Sequence, residues 1–200
     1  MNKKEFDFSE YLECTPYVNF NNASVKAKAD ELKASSDLET DLIRNAYLFV
    51  RDNIKHSWDA QDRRVTVTAA DVLREGVGIC WSKANLLAAL LRANGIPSGF
   101  SYQKLTLFDT PKQGYCIHAL NTVYISSMDK WIRLDARGNK EGVVAEFSLD
   151  KEILAFEVRP HLGEVDYHDN NARPSEKLME VLKNSNDALD MYLHNLPEDL

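Results

Sequence analysis

Residues 76–97, GVGICWSKANLLAALLRANGIP, constrain the fold more than any other stretch of the chain. Gly76 and Gly78 permit a tight turn and a close backbone approach just ahead of Cys80. From Cys80 to Asn94 the composition is rich in Ala and Leu and strongly helical. Gly95 stands where a C-terminal cap belongs, and Pro97 forbids continuation. This helix is apolar around most of its circumference, so it is expected at the centre of the fold.

Upstream the texture is helical. Ser24–Ala34 reads as a short helix with Ser24 as N-cap. Ser36 and Glu39 have the spacing of a capping box. Leu38, Leu42, Ile43, Ala46, Tyr47, Val50 and Ile54 then recur at helical intervals, to an end near Lys55. Thr68 and Asp71 predict a capped helix over Ala69–Glu75, stopped by Gly76. Downstream the pattern turns to strands at Gly99–Leu105, Tyr115–Ile125, Lys130–Asp135, Val143–Phe147 and Ile153–Val158. A final helix is expected over Pro174–Leu196. Helices, then antiparallel strands, then a helix define an α+β class, not a doubly wound sheet.

The 200 residues suit one domain, and 44% hydrophobic with 28% charged residues argues for a folded core. The expected organisation is a single unit over 1–200. Its helical N-terminal part spans about 1–65, its core about 66–160 and its C-terminal helix about 174–196. The net charge of −7 and the lack of a Lys/Arg cluster argue against nucleic acid and anionic membranes. Three cysteines make no disulfide framework and fit a reducing compartment. The N-terminal residues have no apolar signal core, and no apolar run approaches a membrane span. A cytoplasmic location is therefore expected.

Cys80 carries the chemistry. At the first position of a helix, free N–H groups and the positive end of the dipole stabilise a thiolate, the nucleophilic form. The alternative is a buried, inert cysteine. His118 lies on a strand and is the natural base. Asp135 ends the next strand. If Ser126–Asp129 is a four-residue loop, Ile125 pairs with Lys130 and Asp135 falls opposite Leu120. His118 and Asp135 are then diagonal neighbours on one face. A three-residue loop would separate them.

GVGICWSKANLLAALLRANGIP, HALNTVYI and KWIRLDARGN together resemble the core of the transglutaminase-like superfamily, a branch of the papain-like thiol enzymes. The likeness spans about residues 40–140. It implies a papain-like core, with the cysteine helix packed on an antiparallel sheet that carries His and Asp. It also implies that Cys80 is the nucleophile, that His118 is its ion-pair partner, and that Asp135 orients the imidazole. The oxyanion would rest partly on the Cys80 N–H. A second donor would come from upstream, Trp58 being the candidate and His56 and Gln61 its rivals. Asn139 is an alternative orienter, and Cys116, two residues before His118, is expected to face the site. Trp81 is expected to pack rather than react. Lys83 and Asn85 are read as solvent-facing, and His194 and Glu198 as surface groups. His161 and His168 lack metal-ligand spacing, so neither a metal nor a cofactor is expected.

The expected activity is acyl transfer from an amide through a thioester. Hydrolysis by a protease, isopeptidase or amidase is favoured, because no further domain is evident to select a second protein. The peptide or protein amide is then the substrate. Crosslinking by a transglutaminase uses the same triad. A non-catalytic binding module is the rival class, although all three triad positions are filled. A partner subunit docking on the acidic C-terminal helix is a further alternative.

Overall fold

A computed structural model describes residues 6–200. Helix α1 (Ala23–Ala34) is capped by Asn22, whose side chain accepts from Ser24 N, so Ser24 is not the cap. Helix α2 (Glu39–Asn53) places Ile43, Ala46, Tyr47 and Val50 in the core. The Ser36–Glu39 capping box does not form. Glu39 is the first helical residue, and its carboxylate instead accepts from Ser126 N and Ser127 N at 3.0 and 3.1 Å. Strand β1 (Lys55–His56) leads into the single-turn helix α3 (Ser57–Ala60). Helix α4 (Ala69–Glu75) carries the expected Thr68–Asp71 capping box and ends at Gly76 in a left-handed conformation. Strand β2 (Val77–Gly78) pairs with β1 in parallel, and helix α5 (Cys80–Arg92) follows at once.

Four strands form the main sheet, in the order β5-β4-β3-β6. They are β3 (Ser98–Thr106), β4 (Tyr115–Ile125), β5 (Lys130–Leu134) and β6 (Val165–Asp166), all antiparallel to their neighbours. Ile125 pairs with Lys130, the register expected for the four-residue connection. Helix α5 packs on β3 and β4 on one side and on α1, α2 and α4 on the other. Leu86, Leu87, Leu90 and Leu91 are fully buried, each stabilising the fold by roughly 2 kcal/mol. Asn121 Nδ2 on β4 donates to the Ala84 carbonyl, locking helix to sheet.

Two expectations fail after β5. Val143–Phe147 and Ile153–Val158 are not strands; only isolated bridges join Lys140 with Val143 and Glu146 with Ile153. Side chains take the backbone groups that a ladder would need. Asn139 accepts from Ala145 N, and Asp135 accepts from Ala155 N. The expected C-terminal helix is two helices, α6 (Glu176–Asn184) and α7 (Ala188–His194). Pro174 precedes α6 rather than lying inside it. Asp187 breaks the run by capping α7 and pairing with Arg63, while Ala188 N donates to the Arg63 carbonyl. The apolar face of α6 enters the core, and α7 turns toward α3.

Candidate active site

Cys80 is the first residue of α5, at the end of a crowded approach. A Cβ on Gly78 would lie 2.6 Å from Ser82 Oγ and 3.0 Å from Thr66 Oγ1, so only glycine fits. No side chain caps the helix, and its first turn has no acidic residue. The first-turn N–H groups are left to act on whatever sits at Cys80. Trp81 packs as expected, with its indole Nε1 donating to the Ile117 carbonyl at 2.7 Å.

His118 projects from β4 toward this helix end. Its Nε2 lies 2.8 Å from Asp135 Oδ2, and both side chains are buried. Asp135 stands just past β5 and is held by two further bonds. Arg137 N donates to its Oδ1, and Ala155 N donates to its Oδ2, each at 3.0 Å. Burial disfavours the carboxylate. The His118 charge and these hydrogen bonds outweigh it and hold the acid below its ordinary range. Burial likewise opposes the imidazolium, but Asp135 and then Cys80 raise the His118 pKa to about 10. The ring edge also meets Phe156, 5.2 Å away at 89°. Asn139, the alternative orienter, bonds to Ala145 N in the following loop.

Cys80, Cys116 and His118 line one cavity of about 540 Å³. Cys116 faces the site, and burial pushes its thiol up to about 12. Trp58 and His56 line the same cavity, but Gln61 does not; its Nε2 donates to the Trp58 carbonyl at an exposed position. His56 is buried with Nδ1 unpartnered, and burial, then Arg137, drive its pKa well below the ordinary value. Trp58 stacks on Tyr192 of α7, centroids 4.4 Å apart and planes 17° apart. Phe108 closes this aromatic wall 5.7 Å from Trp58, in a left-handed backbone conformation (φ 51°).

Sequence reasoning missed three groups here. Tyr192 and Phe156 lie in segments with no recognisable motif. Arg137 is buried beside the triad and bonds both carboxylate oxygens of Asp59, at 2.7 and 3.0 Å. The expectation that Lys83 and Asn85 face solvent is wrong. Both are buried, because α5 is surrounded on nearly every side. His194 and Glu198 are exposed, as expected.

A helix-borne cysteine facing a buried His–Asp pair on an antiparallel sheet defines the papain-like class of cysteine-dependent enzymes. Within it, the chain belongs to the transglutaminase-like superfamily, which its sequence matches over residues 26–136. A search of curated proteins gives no match. The fold resembles the crystal structure of a candidate cysteine protease from Cytophaga hutchinsonii. That likeness has a TM-score of 0.53 at 20% identity and covers 66% of this chain and 43% of the other. The periplasmic domain of TgpA from Pseudomonas aeruginosa is similar with a TM-score of 0.46 at 21% identity, covering 66% and 48%. The chain thus spans less than half the length of either structure. No helix among the described residues is long and apolar enough to cross a membrane.

Proposed function

We propose that this protein is a thiol hydrolase that cleaves an amide of a peptide or protein through a Cys80 thioester. The observation that carries the reading is that Cys80, at an uncapped helix start, and His118, bonded behind to the buried Asp135, line one cavity. Asp135 occupies Nε2, which leaves Nδ1 as the ring nitrogen for Cys80. The Cys80 thiolate attacks the amide carbon, and His118 gives its proton to the leaving nitrogen. Water, deprotonated by the same ring, then attacks the thioester and releases the acid. The oxyanion lies against the Cys80 N–H and a second donor on the 56–58 segment, Trp58 or His56. A cavity of about 540 Å³ has the size of a small-ligand site and takes one acyl side chain. The three free cysteines support a reducing, cytoplasmic setting.

The test has two parts. Intact mass after iodoacetamide treatment, as a function of pH, should give one fast adduct, at Cys80, near neutral pH. Incubation with glutaminyl and other peptides should release ammonia or a new amine. Incorporation of a labelled primary amine in preference to release would replace hydrolysis with crosslinking. Uniformly slow labelling of all three thiols would favour the binding module.

A further inference from the structure

Lys83 is a buried lysine one turn below the nucleophile, and its ammonium is surrounded by carbonyl oxygens. Nζ donates to the Ile54 carbonyl at 2.5 Å and to the Arg137 carbonyl at 2.7 Å, with the Arg51 carbonyl at 3.5 Å. The three acceptors come from two segments distant in sequence. Arg51 and Ile54 are at the C-terminal end of α2, the negative end of its dipole. Ile54 directly precedes β1, which carries His56, and α3 behind it, which carries Trp58. Arg137 belongs to the turn after Asp135, and its own N–H donates to Asp135 Oδ1. One peptide segment thus receives Lys83 on its carbonyl side and holds the Asp135 carboxylate on its amide side. The approach is close: a Cβ on Gly138 (φ 114°) would lie 3.3 Å from the Arg51 carbonyl oxygen and 3.6 Å from Lys83 Nζ.

We infer that Lys83 is a positioning residue, which clamps the Asp135 turn and the His56–Trp58 segment to the helix that presents Cys80. Burial pulls the Lys83 pKa down to about 7 against the pull of Asp135, Cys80 and Asp52, with Arg137 adding to the fall. An apolar side chain of similar length would leave the Ile54 and Arg137 carbonyls without this donor, so both segments would move away from α5. The triad's geometry would loosen although no triad residue had changed. Asp135 would then stabilise the imidazolium less well, and the thiolate–imidazolium pair would form over a narrower pH range.

The inference rests on the thiol reading above, and iodoacetamide is a probe that needs no substrate. Lys83→Met should fold, as judged by circular dichroism. Its Cys80 alkylation rate at pH 6 should fall about tenfold or more, and the profile should revert toward the simple rise of an ordinary thiol. Lys83→Arg keeps charge and donors and should stay within about threefold of wild type. A folded Lys83→Met protein whose profile matches wild type, even with a lower melting temperature, would leave Lys83 a purely structural group and overturn the inference. If Lys83→Met does not fold, Lys83→Gln, with an uncharged side chain one atom shorter, should lower the pH 6 rate by at least about threefold, and a wild-type profile would overturn the inference. Failure of both to fold would also overturn the inference, because the ammonium would then be a folding requirement. Wild-type protein with no fast adduct at Cys80 would instead remove the thiol reading itself.

Discussion

His118 and Asp135 are joined at 2.8 Å although they are not partners across the sheet. The last pair of the β4–β5 ladder is Asn121 with Leu134, so Asp135 comes level with Leu120, and His118 lies two residues further on along the same face. The diagonal contact, closed by Arg137 N and Ala155 N on the same carboxylate, fixes which nitrogen is left for Cys80.

Asp135→Asn keeps this shape but removes the charge. We expect kcat/KM to fall on the order of 10²–10³, or about 3–4 kcal/mol, less than in a serine triad, where the ion pair is not preformed. The sign of the pH effect follows from the wild-type ring, whose pKa is raised to about 10 against burial by Asp135 and Cys80. Loss of the carboxylate lowers it, so the basic limb of the kcat/KM profile should move to lower pH. An unmoved limb with wild-type activity would remove Asp135 from the site.

Cys80→Ala should abolish turnover while the melting temperature stays within a few degrees, because Ala is a good helix former and the position is only half-buried. Cys116 cannot substitute, since burial keeps its thiol protonated at neutral pH. Activity assays and thermal melts on the same preparation check both points.

Tyr192→Ala should free the Trp58 indole from its stacked neighbour. A stacked pair is worth about 0.5–1.5 kcal/mol beyond its buried area, so kcat/KM should fall by up to about tenfold. Trp58→Phe in the Tyr192→Ala background should then cost less than in wild type. Strict additivity in this double-mutant cycle would count against a coupled wall.

Glu39→Ala should destabilise the fold by up to about 1 kcal/mol, with no effect on Cys80 labelling, because two N–H groups at an exposed turn exchange a charged acceptor for water. Burial opposes the Glu39 carboxylate, but the Ser127 and Ser126 bonds hold its pKa below the ordinary value. This stability is therefore present above the ordinary glutamate pKa and is lost as pH falls through the lowered one. Urea unfolding of the two proteins should show a larger difference at pH 7 than at pH 3.

Local sequence chemistry determined much of this protein. The glycine turn, the Ala/Leu helix and its glycine–proline stop place Cys80 at a helix start through backbone sterics and propensity alone. Strand alternation and the length of the Ser126–Asp129 connection set the β4–β5 register, and with it the face shared by His118 and Asp135. These are short-range effects, and each is written within a few residues. Tertiary structure decided the rest. Lys83 reads as a solvent-facing residue until the carbonyls of Arg51, Ile54 and Arg137, 29 to 54 residues away, converge on it. Residues 143–158 have strand composition, but Asn139 and Asp135 take the amides of Ala145 and Ala155. The C-terminal helix breaks ahead of Asp187, which caps α7 and pairs with Arg63 while Ala188 N bonds the Arg63 carbonyl. In each case the deciding partner is distant in sequence, and hydrogen-bond satisfaction in the folded interior overrides the local preference.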